Sequence, residues 1–144
     1  MTPIRIELAG IPRGKGRPRF SRKNGVAFTD PKTRSYESAL RYAAQEAMAG
    51  QPLLEGPLSL HLDAYLPIPR SWSKRKKLQA SMGLIRPTTK PDVDNLLKSV
   101  DALNAVVWHD DAQVVAVSML KLYSERPRLT IRVAPVEAVL KVAA

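Results

Sequence analysis

The sequence predicts a small α/β domain of the α+β kind, a mixed sheet of about four strands packed with about three helices, on three observations. Leu58, Leu60, Leu62, Ala64 and Leu66 alternate with Ser59, His61, Asp63 and Tyr65, the period of a strand with one buried face. Val93, Leu96, Leu97, Val100 and Leu103 recur at i, i+3, i+4 and i+7, the period of one helix face. Such patches follow one another as strand, broken loop, helix, strand, helix, helix, strand, strand. At 144 residues the chain reads as one domain, 1–144. That length buries about 68 to 70% of the unfolded surface around one core.

Taken in order, Ile4, Ile6 and Leu8 alternate with Arg5 and Glu7 in a first strand that Gly10 ends. Residues 11–32 are too punctuated by Gly and Pro for a long element and form a basic loop. Arg13, Lys15, Arg17 and Arg19 occupy alternate positions, so an extended backbone aims all four one way, with Arg22 and Lys23 beyond them. The reading is a phosphate-contacting loop; a solvated charge run is the plainer alternative. Phe20 and Phe28 read as plugs over the core, with base stacking the alternative.

Thr33 to Gly50 reads as a packing helix with Thr33 and Ser35 as candidate caps. The Leu58 to Leu66 strand follows, with His61 an exposed side chain on its polar face. SWSKRKKLQASMG is a short helix capped by Ser71 or Ser73 and closed by Gly83, with Trp72 a staple or core contact. Lys74, Arg75, Lys76 and Lys77 sit in its first turn, where cations oppose the helix dipole. They read as a surface for nucleic acid. A connector carrying Lys90 leads into the helix of Val93 and Leu96. Val114 to Leu122 is apolar on both faces, as in an interior strand. SerGluArgPro at 124–127 turns it into a hairpin with Leu129, Ile131 and Val133. Residues 135–144 form a poorly specified tail, read as a short helix.

Composition narrows the function. Lys and Arg number 23 against 13 Asp and Glu, a net charge of +10, whose field attracts polyanions, nucleic acid first among them. There is no cysteine, which excludes disulfides and thiolate metal sites. With neither an apolar run of membrane-spanning length nor a signal-peptide pattern, the expectation is a soluble cytoplasmic protein without a membrane partner.

Against that basic background the acids of KPDVDNLLKSVDALNAVVWHDD, residues 90–111, need a reason. A helix from about Asp94 to Ala105 puts Asp94, Lys98 and Asp101 on the face opposite its apolar stripe. Asp92 joins Asp94 if residues 91–94 are extended, which Pro91 favours. Each acid alone is explained as an N-cap or an i, i+4 ion pair. The cluster is not, because a further pair, Asp110 and Asp111, follows the helix.

If the next strand runs back beside the helix, Asp111 approaches Asp92 and Asp94. Three aspartates and water make a hard, all-oxygen environment suited to Mg²⁺ or Mn²⁺, the setting for phosphodiester hydrolysis. Lys98 would stabilise charge on the scissile phosphate. The residues thus point to a metal-dependent nuclease with no small-molecule cofactor.

KPDVDNLLK, DAL and VWHDDAQV resemble the signature of the RusA-type Holliday-junction resolvases, many of them prophage-encoded. GIPRGKGRPRF, FTDPKTRSYE and SWSKRKK resemble that family's N-terminal half. The resemblance implies a homodimeric, Mg²⁺-dependent endonuclease of DNA recombination and repair that nicks two opposed strands of a four-way junction. Asp92, Asp94 and Asp111 would be its metal ligands and Lys98 its essential lysine, with Asp110 in a structural role. Arg13, Lys15, Arg17, Arg19, Arg22, Lys23, Lys74, Arg75, Lys76, Lys77 and Lys90 would contact the DNA. Between Lys98 and Asp101 the chain is one residue shorter than the family pattern. Such a deletion turns a helix by about 100° beyond it, which bears on Asp101 and Asp111 but not on Asp92, Asp94 or Lys98.

A two-fold dimer would supply a second acidic cluster for the second strand. The rival readings are a non-catalytic nucleic-acid-binding protein, a nuclease acting on other branched DNA, and a phosphohydrolase of small nucleotides. The first leaves the acids unexplained, and the last leaves the basic surface unexplained. Steep salt dependence of binding separates DNA from a small nucleotide.

Overall fold

A computed structural model of the chain describes residues 3–15 and 19–136. Its framework is a four-stranded sheet of β1 (Ile4–Ala9), β4 (Leu58–Pro67), β5 (Val114–Ser124) and β6 (Arg128–Pro135), in the order β1-β6-β4-β5. β6 pairs antiparallel with β1 and β4, whereas β4 and β5 are parallel. The result is a small single-domain α+β fold with three helices on a mixed sheet, as the sequence predicts.

The alternation in β4 is realised residue by residue: Leu58, Leu60, Leu62, Ala64 and Leu66 are buried. Leu129, Ile131 and Val133 of β6 and Ile4 and Ile6 of β1 extend the same apolar face. α1 (Pro31–Met48) seals it with Leu40, Ala44 and Met48, packing on β1. α1 begins two residues earlier than expected and is capped by Asp30, not Thr33 or Ser35. The Asp30 carboxylate accepts the N–H groups of Lys32 and Thr33, and Pro31 supplies a preset φ at the first helical position.

Parallel neighbours cannot be joined by a tight turn, so β4 and β5 require a long crossover. Residues 68–113 supply it, with α2 (Lys74–Ser81), α3 (Val93–Leu97) and 3₁₀ segments at Lys98–Leu103 and Asp111–Gln113. Ser73 caps α2, and Trp72 before it meets Tyr123 of β5 edge-on at 5.3 Å. The expected helix from Asp94 to Ala105 is α-helical for one turn and then tightens. Leu96, Val100 and Leu103 are buried as expected, but Val93 is exposed. The Ser99 hydroxyl donates to the Leu96 carbonyl at 2.7 Å, competing for an acceptor of the helix ladder.

Two expectations for the C-terminal strands are corrected. β5 and β6 do not form a hairpin, because β4 lies between them. β4 leaves the sheet after Pro67, which pairs with Ser124, and the 125–127 link crosses there to set Arg128 beside Tyr65. Nor is β5 an interior strand: it forms one edge, with Val115, Val117 and Leu120 exposed.

The basic loop contains a two-stranded ladder of β2 (Arg19–Phe20) and β3 (Ala27–Phe28). Phe20 and Phe28 are exposed on it and do not plug the core. The helix expected over 135–144 lies outside the described residues beyond Val136. Among the described residues, no helix is long and apolar enough to cross a membrane.

Candidate active site

The site is built at the head of α3. Lys90–Pro91 is a cis peptide bond, and Asp92 is extended at φ −78° and ψ 162°. The Asp92 carboxylate accepts the Asn95 N–H at 3.3 Å, so Asp92 is the N-cap. Asp94, in the first turn, reaches Lys98 Nζ at 3.6 Å across one turn of helix. Asp92, Asp94 and Lys98 all line one open cleft of about 890 Å³.

The tightening after Leu97 decides what joins them. In a 3₁₀ helix residues i and i+3 eclipse, so Asp101 returns to the side of Lys98. Asp101 lines the same cleft. An α-helix with its 3.6 residues per turn would leave Asp101 about 60° out of line.

Lys15 fixes Asp101 from across the cleft. Its ammonium lies 3.3 Å from Asp101 Oδ2 and 3.6 Å from Glu37 Oε1 of α1. The backbone is held too, with the Lys15 N–H donating to the Asn95 carbonyl at 3.2 Å. Gly14 makes this seat possible, since a Cβ there would lie 2.3 Å from Asn95 Nδ2 and 2.8 Å from Asn95 Cγ. Beneath the seat, burial pushes the Tyr36 hydroxyl up to about 12, against the opposing pull of the Arg13 backbone N–H and charge.

Asp110 and Asp111 divide their tasks. Asp110 caps the second 3₁₀ segment, accepting the Ala112 N–H at 3.0 Å, while the Gln113 side chain accepts the Asp110 N–H in return. The Ala112 N–H, with help from Asp111, holds the Asp110 carboxyl below the ordinary range. Asp111 goes the other way, raised by Asp110 first, then by desolvation, and then by Asp101. Asp111 therefore reaches the site through Asp101 and is not among the residues lining the cleft. Among the described residues, no group of three or more His, Cys, Asp or Glu side chains is placed to hold a metal ion.

The basic residues separate into two sets. Arg13, Lys15 and Lys90 line the cleft, although Lys15 is engaged by acids there. Arg22 and Lys23 are exposed in the turn between β2 and β3. Lys74, Arg75 and Lys76 are exposed and Lys77 half-buried on α2, with Lys76 Nζ 4.1 Å from the centre of the Trp72 ring. Arg17 and the side chain of Arg19 lie outside the described residues. His61, read as an exposed side chain, is half-buried, its ring nitrogens 2.6 Å from Ser118 Oγ and 3.0 Å from Asp63 Oδ1.

Sequence reasoning placed Asp101 on the face of Asp94 and Lys98 but gave no part to Glu37 or Asn95. Glu37 reaches the site from α1, which only folding brings there, whereas Asn95 sits beside Asp94 in α3 and gains its part only when the Gly14–Lys15 backbone docks on it. The one local signal was Gly14, a glycine between two cations in a loop with nothing to bind on its own.

The sequence model described as "Endodeoxyribonuclease RusA" matches residues 9–134. The chain is also similar to a protein of Bacillus subtilis (strain 168) described as "Uncharacterized protein YqaN". The two are 43% identical over 144 residues, spanning 96% of this chain and 100% of that one.

Proposed function

The chain belongs to the RusA endodeoxyribonuclease family, a family of Holliday-junction nucleases, and on that premise we propose a Mg²⁺-dependent resolvase that nicks opposed strands of a four-way junction. The observation that carries the reading is the cleft, which sets Asp92, Asp94 and Asp101 beside Lys98 under a rim of Arg13 and Lys90. Acids inside a basic rim suit a phosphodiester: the rim attracts the backbone, and the acids face the bond to be cut.

The donor chemistry fits a hard divalent cation. Carboxylates are its preferred ligands, and the crowding that raises Asp111 beside Asp110 and Asp101 is negative charge that such an ion would relieve. Asp92 and Asp94 at the cleft would hold it, with Asp111 joining them from beside Asp101. When bound, it supplies a Lewis acid for the phosphoryl oxygen and a lowered pKa for water. The chain's own residues do the rest. Lys98 donates to a phosphate oxygen at the mouth of the cleft, and Arg13 and Lys90 hold the flanking backbone. Lys15 keeps Asp101 in place. A second copy of the chain would present a second cleft for the opposed strand.

The test compares a labelled four-way junction with a matched linear duplex, in Mg²⁺ and in EDTA. Paired nicks confined to the junction and to Mg²⁺ are expected. Asp94→Asn removes a ligand worth several kcal/mol of transition-state stabilisation, so cleavage falls by about a thousand-fold while junction binding persists. Cleavage that continues in EDTA, or that Asp94→Asn leaves intact, would sink the reading.

A further inference from the structure

Phe20, Val26 and Phe28 are 70, 58 and 41% exposed, all within the hairpin of β2 and β3. Apolar side chains gathered in one short hairpin and left to water need a reason. The hairpin does not owe its shape to the core. The Ser21 N–H donates to the Val26 carbonyl at 2.9 Å and the Gly25 N–H to the Ser21 carbonyl at 2.8 Å. Asn24 Oδ1 accepts the Val26 N–H at 3.0 Å, and Gly25 takes the left-handed φ of +68° that the turn requires. Among the described residues, the two strands pair only with each other.

The register sets Phe20 opposite Ala27 and Arg19 opposite Phe28, so the two rings lie on opposite faces of the ribbon. Phe20, the more exposed, has only the Ala27 methyl across from it. Among the described residues, no aromatic or cationic side chain covers either ring. The ring stands in a strong field: from Leu8 to Thr29 the chain carries six cations and no acid, with Arg22 and Lys23 exposed in the turn. Such a surface draws a polyanion, and the part of a nucleic acid that suits a phenyl ring is the face of a base. In continuous duplex every base face is covered by its neighbours. At a branch point the stack is interrupted, and a base there is opened at least cost.

We propose that Phe20 is the residue that tells a branch point from linear duplex. Its ring packs on a base that has lost a stacking neighbour, while Arg22 and Lys23 hold the adjoining phosphates. The chain allows both ends of this arrangement to be met at once. Lys15 is seated in the cleft, and Phe20 follows it closely in sequence. At about 3.6 Å per residue the link spans at most about 18 Å, or about five base steps of 3.4 Å. A protein pocket could also cover an exposed ring, but six cations without an acid favour nucleic acid. The inference rests on the branched-DNA reading above and names the side chain that makes it selective.

The test needs no cleavage and is run in EDTA. 2-Aminopurine at the branch point of a four-way junction brightens when it loses its stacked neighbours, and the same base in the middle of an arm is the control. The wild type should raise the branch-point signal alone, and Phe20→Ala should raise neither. Phe20→Ala should also bind the junction about ten-fold more weakly, the loss expected of one base–aromatic contact, and keep its affinity for linear duplex within about two-fold. No charge is removed, so the slope of log affinity against log salt should not change. Phe20→Trp should behave as the wild type, and so should Val26→Ala, which removes exposed apolar surface without a ring. Far-ultraviolet circular dichroism should be the same for all. Equal losses on junction and duplex would overturn the proposal, as would a branch-point signal that survives Phe20→Ala or a loss as large in Val26→Ala. A wild type that binds junction and duplex alike would overturn the branched-DNA reading itself, whereas a junction preference that survives Phe20→Ala would overturn this inference alone.

Discussion

The basic segment after β1 has two halves with opposite fates. Pro12, Gly14 and Lys15 are seated on α3 and α1, Pro12 buried and Lys15 held between Glu37 and Asp101. A few residues on, the turn between β2 and β3 holds Arg22 and Lys23 in solvent, with Phe20 70% exposed beside them. In sequence the two halves look alike, cations spaced by Gly and Pro. What separates them is the company folding provides. A lysine opposite two carboxylates becomes part of the site's framework, whereas one opposite water remains available to a phosphate. A charge run therefore names a field and not a set of contacts.

The comparison breaks most clearly at Lys15. Lys15→Ala removes the cation between Asp101 and Glu37 and should lower kcat by about 10- to 100-fold, the usual cost of losing the support around a metal ligand, here Asp101 beside Asp111. Junction affinity should stay within a few-fold. Lys15→Arg keeps the charge and should restore most of the loss. If Lys15→Ala instead weakens binding and leaves kcat alone, Lys15 is a DNA contact and the two halves are one surface.

Tyr36 reports on the same seat without any substrate. Its folded hydroxyl is raised from 10.0 to about 12 by burial, so the unfolded chain loses this proton first as pH rises. The stability linked to Tyr36 is complete below pH 10 and is lost as pH climbs from 10 to 12. Gly14→Ala forces the segment off Asn95 and admits water, and the last of the four tyrosines to contribute to the phenolate absorbance band should then do so at lower pH, toward 10. An unchanged titration in Gly14→Ala would show that Tyr36 is buried by something other than the docked half.

These effects mark where the sequence was legible. β1, β4 and the buried positions of the 93–103 segment could be read because a period states which face is inside, and Asp92, Asp94 and Lys98 could be read because seven consecutive residues of chain carry their geometry. β5 misled because apolar residues on both faces say only that both faces avoid water, not that two strands flank it. The hairpin failed for a related reason, since a short turn between two strands does not forbid a third from lying between them. Asp101 shared a face with Lys98 on paper, but its tie to Lys15 spans 86 residues and its tie to Asp111 depends on how the crossover closes. Asp30, and not Thr33 or Ser35, is the cap of α1, because a Pro at the first helical position moved the start of the helix ahead of the apolar pattern.

The smallest effect belongs to the exposed half, and it fixes the meaning of the largest. Arg22→Ala and Lys23→Ala each remove one exposed cation from a turn that touches no part of the cleft. Each should weaken junction binding a few-fold, uniformly across sequences, and reduce the slope of log affinity against log salt by about 1. Single-turnover cleavage at saturating enzyme should be unchanged, since once the junction is bound the cleft residues are intact. The contrast with Lys15→Ala is then a contrast of kinds: one cation acts through kcat and leaves the salt slope alone, and the others act through the salt slope and leave kcat alone. Should Lys23→Ala lower the single-turnover rate with binding saturated, the exposed turn must close over the cleft when DNA arrives, and the two halves would work as one element only in the complex.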